Sequence, residues 1–158
     1  MSSNEIDLLE YRRALGCFAT GVAVVTTIDQ DGGKAGITVN SFNSVSLDPP
    51  LVLWSIGEDS LCYDIFVETD YFAVNVLATH QLDICRRFAA SGTDKFNDLE
   101  CAAGIGGVPL LPEYSAAFEC RTEHRYDGGD HKIIVGRVLK FEDRKTDPLI
   151  FYRGHFLK

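Results

Sequence analysis

A chain of 158 residues, 46% apolar and 24% charged, can close one buried core without disulfides or a structural metal. Fifteen basic against 23 acidic residues leave a net charge of −8 with no basic run to offset it, which excludes nucleic acid as the main partner. The same numbers exclude a disordered chain, and no apolar run approaches the ~20 residues of a membrane span. One domain over residues 1–158 is expected. The five cysteines (Cys17, Cys62, Cys85, Cys101 and Cys120) are odd in number and form no CxxC or CxxxC pair, so neither a disulfide framework nor a zinc knuckle is indicated. With a polar, acidic opening that fits no signal or transit peptide, they point to the cytoplasm and to reduced thiols that fill the core.

Leu8, Tyr11, Leu15 and Phe18 recur at helical steps, and the stripe ends by Gly21. The β-branched run Val22–Ile28 reads as a strand, and Asp29–Gly33 as a turn. Ala35–Leu47 reads as one further extended segment, unusually polar, stopped by Asp48-Pro49-Pro50 before a buried strand over Leu51–Ile56. A short helix is expected over Ser60–Val67, a strand over Tyr71–Leu77, and a helix N-capped by Thr79 with Leu82, Cys85, Phe88 and Ala89 on its apolar face. Asp94–Tyr114 carries three glycines and two prolines and reads as a long loop. Ala116–Tyr126 alternates with period two, Asp127–Asp130 turns, and His131–Phe141 returns as its partner strand. Leu149–Tyr152 supplies a last strand. Such an order suits an antiparallel barrel or sandwich, and not a βαβ repeat.

Common catalytic motifs are absent: no GxGxxG follows a strand, and there is no P-loop, HExxH or GxSxG. The four histidines show no metal-ligand spacing on one helix face. Ile37–Leu51 stands apart, because hydroxyls and amides on a strand give up apolar burial and require hydrogen-bond partners. Two readings follow from composition: a solvated edge strand, or a polar ledge for a flat heteroaromatic ligand.

Four stretches in order resemble the short-chain flavin reductases, the NAD(P)H-dependent components of two-component flavin monooxygenases. They are Phe18–Thr26, Ile37–Leu51, Asn75–Ala89 with Asp94-Lys95-Phe96, and Gly129–Val138, and the likeness extends from about Tyr11 to Phe156. The resemblance implies a mainly β fold, an antiparallel six-stranded Greek-key split barrel of the FMN-binding type with flanking helices, working as a homodimer. It implies FMN or FAD as cofactor and NADH or NADPH as hydride donor. By match, Thr38, Asn40, Ser41 and Phe42 line one edge of the isoalloxazine, with Ser44 and Val45 continuing toward the ribityl chain. Ser55 and Ser60 fall near ribityl and phosphate, and Phe88, Ala89, Lys95 and Phe96 form the opposite wall, Lys95 as the phosphate cation. Cys62 stands where many relatives carry a hydroxyl. His131 matches the catalytic-site histidine that contacts the nicotinamide, and Tyr152 and Phe156 match aromatics over the same pocket.

The function so implied is hydride transfer from NAD(P)H to flavin, supplying a partner monooxygenase, with neither nucleic acid nor membrane involved. A non-catalytic flavin-binding or redox-sensing barrel and a flavin-dependent corrinoid reductase are the alternatives.

Overall fold

The computed structural model describes residues 5–92 and 94–157; the first four residues of the polar opening lie outside them. Helix α1 spans Leu8–Leu15, with Asp7 as its cap: Oδ1 accepts from the amides of Leu9 and Glu10, at 2.9 and 3.2 Å. Then come β1 (Thr20–Gly21), β2 (Ala23–Ile28), β3 (Lys34–Val39), β4 (Asn43–Leu47), β5 (Pro50–Gly57), α2 (Tyr63–Glu68), β6 (Tyr71–Val76) and α3 (Leu82–Ala89). Short β7 (Ala102–Ala103) and β8 (Pro109–Leu110) pair inside the expected loop, around a single 3₁₀ turn. The long hairpin of β9 (Ala116–Gly128) and β10 (His131–Asp143) follows, and then a small hairpin of β11 (Ile150–Tyr152) and β12 (His155–Leu157).

The main sheet runs β3-β2-β6-β9-β10-β5-β4 with every pairing antiparallel. It has seven strands, one more than expected, because the polar segment 35–47 breaks at residues 40–42 and changes partner from β2 to β5. Side chains from β2, β5, β6, β9 and β10 share one interior, plugged by Phe66 of α2 against Trp54 at 4.9 Å between ring centroids. The apolar run of β2 buries both faces. Ala23 and Val25 point into the barrel, while Val22 and Val24 lie under α3 with Cys85 and Phe88.

Three local expectations are corrected. Helix α3 starts after Gln81, not Thr79: the Gln81 side chain accepts from the Ala78 amide at 2.8 Å, whereas the Thr79 hydroxyl donates to the distant Asp147 carbonyl. Helix α2 begins three residues later than expected. The α1 stripe stops at Leu15 and is left largely uncovered among the described residues: Leu8, Leu15 and Phe18 are 71, 57 and 77% exposed, the last two bordering a groove beside β11. Cys85 and Cys120 do fill core space, but Cys17 is exposed.

Candidate functional site

A cleft of about 210 Å³ opens between the C-terminal end of α3 and the segment joining β5 to α2. Ser60, Phe88, Ala89 and Lys95 of the predicted set line it, together with Cys62 and Ser91. Half-buried Lys95 is not a solvated surface cation. Its Nζ donates to the carbonyls of Gly36 (3.2 Å) and Phe88 (3.1 Å), tying β3 to the last turn of α3 and leaving one of three N–H donors over. Phe96 meets Phe88 edge-on at 5.0 Å, so these two aromatics hold the wall by packing on each other. Ser60 Oγ accepts from the Cys62 amide at 3.2 Å, which leaves its O–H to donate elsewhere.

Other predicted residues serve the scaffold. Thr38 donates its hydroxyl to the Cys85 carbonyl at 2.6 Å, anchoring α3 on β3. Ser41 Oγ accepts from the Ser55 amide at 2.9 Å and faces its carbonyl at 3.2 Å, so a side chain continues the ladder where the strand is broken. Asn40 and Phe42 border a small hollow beside Val39 and Val76. Ser44 and Val45 sit exposed on the edge strand β4, and no described cavity includes them.

His131 begins β10 opposite Gly57, directly after a turn in which Gly129 takes φ +64°. Its Nδ1 lies 2.7 Å from Asp130 Oδ1, and that hydrogen bond is the main cause holding the Asp130 carboxyl below its ordinary range. The Glu58 amide donates to the Asp130 carbonyl at 2.9 Å, which clamps the turn to the strand end that leads to Ser60. A Cβ on Gly57 would fall 3.6 Å from His131 Nε2, so glycine leaves the ring open on that side.

The C-terminal aromatics divide. Tyr152 lines a groove with Arg12, Phe18, Asn40 and Arg153, whereas Phe156 packs on the outer core and borders a second groove with His80 and Arg86. No described cavity joins either of them to His131 within one chain. Sequence reading missed Ser91, Asp59 and Ile37 as cleft residues; the first two carry no local signal, and Ile37 reads as an ordinary strand apolar.

The donor set in the cleft suits a phosphorylated ligand: a lysine with one N–H to spare and two serines line it beside an aromatic wall, and among the described residues the one acidic member of the lining is Asp59. Among the described residues there is no metal-ligating cluster, and no helix is long and apolar enough to cross a membrane.

Residues 15–158 match the model of the flavin reductase like domain. Over 92% of its length the chain is 48% identical to the FMN reductase (NADH) SmoA of Agrobacterium fabrum, spanning 83% of that protein. Over 93% it is 44% identical to the reductase component of the flavin-dependent trigonelline monooxygenase of Acinetobacter baylyi, of which it spans only 47%. The crystallised NADH:FAD oxidoreductase SgcE6 of Streptomyces globisporus superimposes with a TM-score of 0.90 at 35% identity, covering 99% of this chain and 96% of that one. The rolled antiparallel sheet is of the same split-barrel type, and the chain belongs to the flavin reductase family.

Proposed function

We propose that this chain transfers hydride from NADH to FMN or FAD and releases the reduced flavin to a separate monooxygenase component. The observation that carries it is the cleft lined by Lys95, Ser60 and Ser91 beside the Phe88–Phe96 wall. A bound flavin supplies the hydride acceptor, so the protein has to bind, orient and exclude water, and needs neither a nucleophile nor a strong base. Lys95 and the two serines hold the phosphate, while Asn40 and Phe42 border the ring edge. His131 orients the nicotinamide, and Tyr152 and Phe156, set apart from His131 within one chain, cover it across a homodimer.

A second copy of the chain completes the molecule as a homodimer. The support is the apolar surface that one chain leaves uncovered: Leu8, Leu15 and Phe18 around α1, Leu47 at 93% exposure on the edge strand β4, and Phe141 at 68% near the C-terminal end of β10. Five unpaired cysteines support a reducing, cytoplasmic setting, and residues 1–158 act as one domain.

Fluorescence titration tests the ligand assignment. FMN should bind about tenfold more tightly than riboflavin, the difference being one phosphate on Lys95 and the serines. Equal affinities would remove the phosphate site from this cleft.

A further inference from the structure

The geometry points to Asp130 as the positioning residue that fixes which ring nitrogen of His131 is free, and thereby to a site that selects ligands carrying an N–H donor. This rests on the reading of His131 as the nicotinamide contact. The pair is adjacent in sequence, and the turn is pinned from both sides, by the β9–β10 ladder and by the Glu58 amide on the Asp130 carbonyl. Asp130 Oδ1 stands 2.7 Å from His131 Nδ1. The carboxyl is an anion at neutral pH, lowered first by the His131 hydrogen bond and then by the histidine's charge, with Arg12 of α1 adding to it. A carboxylate only accepts, so Nδ1 must carry the proton.

In the neutral ring the other nitrogen, Nε2, is then a lone-pair acceptor. Among the described residues none donates to it. It lies against Gly57, where a Cβ would stand 3.6 Å away, and Asp59 Oδ1 is 2.9 Å from that same point. Asp59 also lines the cleft, so the strand end that carries His131 borders a residue of the cleft lining. The charged groups around the ring are thus Asp130 on the turn, Asp59 on the β5–α2 segment and Arg12 on α1, while neighbouring Lys132 is held by Asp127. An acceptor flanked by two carboxylates favours a donor from the ligand over another acceptor. In a reduced nicotinamide nucleotide the carboxamide NH₂ is that donor on the reacting ring.

Asp130→Asn keeps the shape but offers both a donor and an acceptor, so neither ring tautomer is enforced. We compare wild type, Asp130→Asn, Asp130→Glu and His131→Ala with NADH and with its reduced acetylpyridine analogue, which lacks the carboxamide N–H. The expected result for Asp130→Asn is a KM for NADH raised about three- to tenfold and a preference for NADH over the analogue reduced by the same factor, with FMN affinity unchanged. Asp130→Glu, which retains a carboxylate, should recover part of both. If His131→Ala changes both readouts and Asp130→Asn changes neither, the role of Asp130 is overturned while the histidine reading stands. Should His131→Ala itself leave both unchanged, the nicotinamide contact fails and the inference falls with it. A matching loss of FMN affinity in Asp130→Asn would overturn the inference in favour of a purely structural turn.

Discussion

Phe88 packs so closely on Gly36 that a Cβ added there would lie 2.7 Å from its ring. Phe88 is fully buried and cannot retreat, since Phe96 stands against it and α3 is anchored by Thr38. Gly36→Ala should therefore cost about 1–3 kcal/mol through overpacking, and should loosen flavin binding because the same wall lines the cleft. Urea unfolding checks it; an unchanged midpoint would mean that the ring is free to move.

Lys95 has two separable duties. Lys95→Met removes the hydrogen bonds to the Gly36 and Phe88 carbonyls, with an expected loss of about 1 kcal/mol of stability. If Lys95 also holds the phosphate, as proposed, FMN affinity should fall while riboflavin affinity stays near wild type. An equal fall for both flavins would show that Lys95 acts only by shaping the wall.

Neighbours Asn40 and Ser41 should respond differently. The Ser41 hydroxyl is committed to Ser55 at the strand break, so Ser41→Ala should lower stability by about 1–2 kcal/mol and leave the unpaired Ser55 amide as the cause. Asn40 is exposed, and Asn40→Leu should instead weaken flavin binding by about 1–3 kcal/mol by leaving ligand polar atoms unpaired. Paired calorimetric and flavin titrations separate the two, and a reversal of the pattern would exchange the roles.

Alkaline pH should unfold the protein earlier than its acid chemistry alone suggests. Burial, helped by the charge of Glu119, pushes the Cys120 thiol up to about 12 from the usual 9.0. Cys85, Cys101 and Tyr114 shift the same way, each chiefly by burial. The folded chain keeps protons that the unfolded chain releases, so this stabilisation is complete below about pH 9 and is lost as pH rises toward 12. Tm should drop over that range, less steeply in Cys120→Ala; a flat Tm would contradict it.

Period-two alternation made β9 legible and the turn at 127–130 its partner β10, but the Asp130–His131 hydrogen bond was seen only in the structure. The break at residues 40–42 was not legible, because Asn40 and Ser41 are no more polar than Asn43, Ser44 and Ser46 of the strand that follows, and the cause is a change of partner strand. Helical spacing located α1 but could not say that its stripe stays largely exposed among the described residues. Lys95 was readable as a cation but not as a clamp, since its Gly36 partner lies 59 residues away. The cap of α3 went to Gln81 for the same reason: Thr79 is taken by Asp147, 68 residues on.

The central claim is hydride transfer to a flavin that this chain binds and releases. The most direct measurement is the loss of NADH absorbance in air, with purified protein and with FMN, FAD or no flavin added. Turnover many times the enzyme concentration, dependent on added flavin and well above the protein-free rate, is the predicted result. NADH left intact with either flavin, by protein that still binds FMN, would contradict the account.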